Sequence, residues 1–134
     1  MNEIVFVYGT LKSGQRAGWM MSRNGEKIAD GTVSGKLIDL GAFPGLIRCD
    51  GQQAHGEVWS VERGVLSLLD SYEGEGVLYD RVKVDVTCEG QVIQDVWAYE
   101  YRTDSSWEHK EIEGGFWPEK KLSTTLLQCP GDLL

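Results

Sequence analysis

The run Tyr79 to Thr87 changes side-chain character at almost every step. Val82, Val84 and Val86 fall on one face, and Arg81, Lys83 and Asp85 on the other. A period of two is the signature of a β-strand with one face in a core. Glu89-Gly90 follows as a turn, and Val92 to Tyr101 returns with Val92, Val96, Ala98 and Tyr99 facing inward. The two runs predict a β-hairpin. A lone hairpin is marginal in water, so further elements must cover its apolar face.

Several segments supply them. Ile4-Val5-Phe6-Val7-Tyr8 is a short apolar, β-branched and aromatic run that reads as a buried strand ending at Gly9. Lys27 to Leu40 alternates loosely around Gly31 and Gly35, which predicts a bent or bulged strand region. Gly41-Ala42-Phe43-Pro44-Gly45 reads as a loop with a Pro-Gly turn. Leu46 and Ile47 form a short strand before the turn Cys49 to Gln52, and Gln53 to Val61 is a further strand. Arg16 to Met21 reads as a brief helix. Val65, Leu68, Leu69 and Tyr72 recur at i, i+3, i+4 and i+7, predicting a helix from about Arg63 to Tyr72. Gly74 or Gly76 closes it in the left-handed conformation. Arg102 to Leu134 has little periodicity, but Trp107, Phe116 and Trp117 argue that it packs on the sheet. With no repeats, linkers or low-complexity tracts, residues 1–134 read as one α+β domain.

At 134 residues the chain can bury a core without disulfides or metals. Its net charge of −8 repels phosphate backbones and anionic bilayers, so neither nucleic acid nor membrane is an expected partner. Cys49, Cys88 and Cys129 form no Cys-x-x-Cys pair and read as free thiols in a reducing cytoplasm. Met1-Asn2-Glu3-Ile4 lacks the basic start and apolar run of a signal peptide, and no apolar stretch reaches the roughly 18 residues of a membrane helix. A cytoplasmic location is expected.

Most catalytic signatures fail. Gly9 to Gly14 has the spacing that opens a phosphate-binding loop, but Gln15-Arg16 follows instead of Lys and Ser or Thr. Two readings survive: an ordinary tight turn, or a strand end whose outward N–H groups hold a carboxylate or oxyanion. Gly74-Glu75-Gly76 follows a helix and lacks the third glycine of a dinucleotide fingerprint. His55 and His109, the only histidines, adjoin no nucleophile elbow and read as structural. No metal-ligand spacing occurs, so no metal is expected. Glu73 stands at the C-terminal end of the predicted helix, where the macrodipole is negative and a carboxyl pKa rises. That suits a general acid/base; a solvated glutamate beside Glu75 is the plainer alternative.

Three segments together resemble a known family. They are Val5-Phe6-Val7-Tyr8-Gly9-Thr10-Leu11-Lys12-Ser13-Gly14, then Gly56-Glu57-Val58-Trp59-Ser60-Val61, and then Leu69-Asp70-Ser71-Tyr72-Glu73-Gly74 with Tyr79-Asp80-Arg81 after it. In order and spacing, with the Phe43-Pro44-Gly45 loop between the first two, they resemble the gamma-glutamylcyclotransferase-like family and its gamma-glutamylamine cyclotransferase branch. The resemblance spans about Ile4 to Tyr101. It implies a small mixed β-barrel with a few short helices packed outside and one cavity. It implies an enzyme that releases 5-oxoproline and an amine or peptide from a small gamma-glutamyl compound, without a cofactor. On this chain it makes Glu73 the general acid/base, with Glu75 its rival, and the turn Tyr8, Gly9, Thr10 and Leu11 the substrate cradle. Tyr79, and beside it Tyr99, are further lining candidates, each equally readable as packing. Two other functions stay open: a non-catalytic binder of a small ligand in the same cavity, and an interaction module built on exposed Trp107 and Trp117.

Overall fold

The hairpin expected from the period of two is the backbone of the fold. A computed structural model of the chain describes residues 2–102 and 110–118. Strands β6 (Tyr79–Cys88) and β7 (Gln91–Tyr101) pair antiparallel from Tyr79↔Tyr101 to Cys88↔Gln91. Glu89 and Gly90 take φ of 50° and 82°, so the connection is a two-residue turn of the primed kind whose twist matches the strands.

The sequence expectation fails at one end of β7. Val84 faces Val96 but Val86 faces Ile93, so Gln94 and Asp95 together oppose Asp85. This bulge, with Asp95 at φ 59°, inverts the alternation. Ile93 turns toward the core, and Val92, expected inside, is 58% exposed.

Around the hairpin lie β1 (Asn2–Val7), β2 (Gly25–Ser34), β3 (Lys36–Asp39), β4 (Pro44–Ile47), β5 (Gln53–Glu62) and β8 (Lys110–Glu111). The sheet order is β1-β5-β2-β6-β7-β4-β3-β8. A parallel contact of β1 with β7, at Val5↔Trp97, closes β1-β5-β2-β6-β7 into a barrel and leaves β4, β3 and β8 as an extension. This is the α+β barrel that the resemblance implied.

Pro44-Gly45 is not a turn. Pro44 begins β4, pairing with Asp39, and Gly45 pairs with Ile38. Proline is tolerated at the first residue of a strand. The reversal falls earlier, where Gly41 (φ 101°) donates its N–H to Asp39 Oδ1 at 2.8 Å.

Two short helices pack outside: α1 (Gly18–Asn24), shifted slightly from the expected span, and α2 (Val65–Glu73). The face of α2 also departs from expectation. Leu66 and Leu69 are buried, whereas Leu68 and Tyr72 are 43% and 39% exposed. The inward stripe is therefore Leu66, Leu69 and Glu73, at i, i+3 and i+7, and the helix carries a carboxylate on its buried side. Gly74 caps it at φ 64°, ψ 47°, while Glu75 N donates to Asp70 O at 2.9 Å.

Alternate residues of β1 feed two cores. Phe6 joins Leu37, Leu46, Val58, Val86 and Val96 inside the barrel. Val5 and Val7 join Met21, Leu69, Tyr79 and Tyr99 beneath the helices. Trp117 packs on the barrel core, and Phe116 stacks on His55 with ring centroids 4.0 Å apart. Trp107, His109 and Cys129 lie outside the described residues. Among the described residues no helix is long and apolar enough to cross a membrane.

Candidate active site

Beyond the last residue of β1, Tyr8 is buried and the chain turns through Gly9 and Thr10 toward α1. Internal bonds shape this loop: Lys12 N donates to Gly9 O at 3.0 Å and Ala17 N to Thr10 O at 2.9 Å. A side chain from β5 clamps its tip. Glu57 is 8% exposed, and its Oε1 accepts from Ser13 N (2.9 Å), Ser13 Oγ (3.2 Å) and Trp59 Nε1 (3.0 Å). Lys27 Nζ lies 3.5 Å from its other oxygen. These donors compensate the burial of its charge. Among the described residues, the amides of Gly9, Thr10 and Leu11 meet no protein acceptor. They remain available to a ligand.

Gly9 is demanded by packing. A Cβ at that position would lie 2.8 Å from both Cγ and Cδ of Pro44. Only glycine lets the loop come so close to the start of β4.

Glu73 reaches the same place from α2. It lines a pocket together with Tyr8, Gly9, Thr10, Leu11, Phe43, Pro44, Tyr79 and Tyr99. Glu73, the four residues of the turn, Tyr79 and Tyr99 thus line one cavity. Burial lifts the Glu73 carboxyl from about 4.5 to about 7. Desolvation, which disfavours the charged form, is the cause of the shift. Glu75, the rival, is exposed, lies outside this lining and approaches Arg81 N at 3.5 Å.

The tyrosines are anchored. Tyr8 donates to Tyr99 O at 2.6 Å and accepts from Leu46 N at 3.1 Å. Tyr79 donates to Pro44 O at 2.6 Å, and Tyr99 donates to Asp70 Oδ1 at 2.6 Å. Burial, the largest cause in each case, pushes all three phenols above their ordinary range, reinforced by the Glu73 charge. They are neutral hydrogen-bonding walls at any physiological pH. At the mouth, the Thr10 and Tyr72 hydroxyls are 2.7 Å apart.

Sequence reasoning missed two supports. Asp70 holds Tyr99 and lies 2.9 Å from Arg81 Nε, an ion pair in which that nitrogen is not aligned for a hydrogen bond. Glu57 was legible only as a carboxylate interrupting the apolar end of β5, a signal for burial with partners.

The family model described as gamma-glutamyl cyclotransferase, AIG2-like, matches residues 5–119. The gamma-glutamylcyclotransferase family protein YtfP of Escherichia coli is 30% identical over 122 residues, covering 87% of this chain and 96% of that protein. Gamma-glutamylaminecyclotransferase A of Danio rerio is 30% identical over 92 residues, covering 61% of this chain and 57% of that protein. The crystal structure of an AIG2-like protein from Mus musculus superposes with a TM-score of 0.70 at 26% identity, over 79% of this chain and 82% of the mouse chain. The chain belongs to the gamma-glutamyl cyclotransferase, AIG2-like family of enzymes.

Proposed function

We propose that this protein cyclises the gamma-glutamyl group of a small substrate, releasing 5-oxoproline and an amine or peptide, with Glu73 as acid/base. One observation carries the reading. A carboxyl poised at about 7 lines the same pocket as three backbone amides that have no protein acceptor among the described residues.

The chemistry follows from that pairing. Glu73 as carboxylate takes a proton from the substrate's α-ammonium. The freed amine attacks its own side-chain carbonyl, forming the lactam carbon–nitrogen bond. The amides of Gly9, Thr10 and Leu11 receive the oxyanion or the substrate carboxylate. As the old amide bond breaks, Glu73 returns the proton to the departing nitrogen, and the second proton that the attacking nitrogen sheds on becoming a lactam passes to the same product, which leaves as an ammonium. Nucleophile and carbonyl belong to one molecule, so the pocket's task is to hold the reactive rotamer. The inner space is only about 20 Å³, room for about one water, so the walls must part to admit a glutamyl group. Tyr8 and Tyr79 line that space, anchored by their backbone bonds. The free thiols of Cys49 and Cys88 suit a reducing cytoplasm.

The test is release of 5-oxoproline from a panel of gamma-glutamyl compounds by wild type and Glu73→Gln. Gln keeps the shape but cannot exchange a proton, and a loss of roughly 10²–10⁴-fold in a folded variant is expected. Equal rates in both proteins would remove Glu73 from the role.

A further inference from the structure

A second pocket, of about 160 Å³, shares Thr10, Phe43, Glu73 and Tyr79 with the inner one and adds Arg16, Tyr72 and Leu78. The two are halves of one site, and Glu73 belongs to both. If the glutamyl moiety sits inside, at the free amides, the departing nitrogen lies beside Glu73 and whatever it carries extends into the outer half. The walls of that half therefore read the leaving group.

Those walls have a definite chemistry. Phe43, Tyr72 and Leu78 offer apolar surface, and Leu78 at 36% and Tyr72 at 39% exposed keep part of it open to a ligand. Among the described residues, Arg16 is the only basic one of the lining. Among the described residues it pairs with no carboxylate, although acidic side chains outnumber basic ones 21 to 13 in the chain. Nor is it neutralised by Glu73, whose shift comes from burial alone. A guanidinium left with its full donor fork beside an apolar wall matches a carboxylate joined to an apolar side chain.

We infer that the outer pocket selects a leaving group that is an apolar α-amino acid, its carboxylate on Arg16 and its side chain against Phe43, Tyr72 and Leu78, in preference to a simple amine. This rests on the cyclotransferase reading above and adds a specificity that the reading does not contain. The acidic protein as a whole repels an anionic leaving group, so the local charge of Arg16 is what admits one.

The experiment compares two substrates that differ only in that carboxylate, gamma-glutamyl-leucine and gamma-glutamyl-(3-methylbutyl)amine, with 5-oxoproline release as readout. Wild type is expected to favour the leucine compound by about tenfold in kcat/KM, the scale of one charge-assisted hydrogen bond. Arg16→Met keeps an apolar stem and should cancel that preference, while Arg16→Lys should restore part of it. The wild-type preference should also shrink with added salt, because Arg16 is exposed. Equal kcat/KM for the two substrates in wild type overturns the inference and leaves the cyclotransferase reading standing. So does a preference that survives in Arg16→Met. No 5-oxoproline from either substrate, or from the wider panel, with folded wild type overturns both.

Discussion

The Tyr99 hydroxyl donates a 2.6 Å hydrogen bond to Asp70 Oδ1, tying a wall of the pocket to the helix that carries Glu73. Arg81 Nε lies 2.9 Å from the same oxygen, and its guanidinium covers the Trp97 ring at 4.4 Å. Tyr99→Phe keeps the ring and deletes the bond. It should cost about 1–2 kcal/mol in a urea melt, as expected for a partly exposed bond to a charged acceptor. Asp70→Ala should be less than additive with it in a double-mutant cycle, because both delete the same contact. Strict additivity would show that the 2.6 Å bond contributes nothing.

Glu73 makes stability depend on pH in a definite direction. Its folded value of about 7 lies above the ordinary 4.5, so the native state holds this proton more tightly than the unfolded chain. Stability should fall as pH rises from about 4.5 through about 7, and the full cost is felt above that. Glu73→Gln escapes the cost and should exceed wild type by up to roughly 3 kcal/mol at pH 8, but by under about 1 kcal/mol at pH 5. Urea midpoints at both values check it; a constant gap would mean the carboxyl is not desolvated.

A methyl group at Gly9 would stand 2.8 Å from two ring carbons of Pro44. Gly9→Ala must therefore push the cradle loop from β4. A stability loss of roughly 1–3 kcal/mol is expected, as for other overpacked sites. Activity should fall further than stability accounts for, because the amides of Gly9, Thr10 and Leu11 move together. A fully active Gly9→Ala protein would mean that the loop's position does not matter.

Among the described residues, Glu57 supplies the only side-chain acceptor for the Ser13 amide. Glu57→Ala should cost roughly 1–3 kcal/mol by stranding the buried indole N–H of Trp59, and should speed hydrogen exchange at Ser13. Glu57→Gln keeps an acceptor oxygen and should fall between. Unchanged exchange at Ser13 in the alanine variant would show that the clamp does not hold the loop.

Local signals read well where one face decided the pattern. The valines of β6 alternate against charges, and the Glu89-Gly90 turn leaves no choice of partner, so that hairpin was legible. Reading failed where two patterns competed. Val65, Leu66, Leu68 and Leu69 permit two adjacent apolar stripes on α2, and only docking on the barrel chose Leu66, Leu69 and Glu73. The bulge that turns Val92 outward is a property of the β6–β7 pair, invisible in either strand. Pro44 carried a local turn signal, but pairing with Asp39 made it the head of a strand.

The sequence alone determined which segments extend and which coil, because periodicity and turn chemistry are properties of neighbouring residues. It also carried, in Tyr8-Gly9-Thr10-Leu11 and Glu73-Gly74, the two segments that meet at the cavity. What they become there was decided by tertiary structure. Residue types left a solvated side chain as the plainer reading of Glu73. Its raised carboxyl needs walls from the loop after β1, the head of β4, the end of α2 and the strands of Tyr79 and Tyr99, five separate stretches of chain. Desolvation is a property of the space around a group, and no local stretch of sequence contains that space.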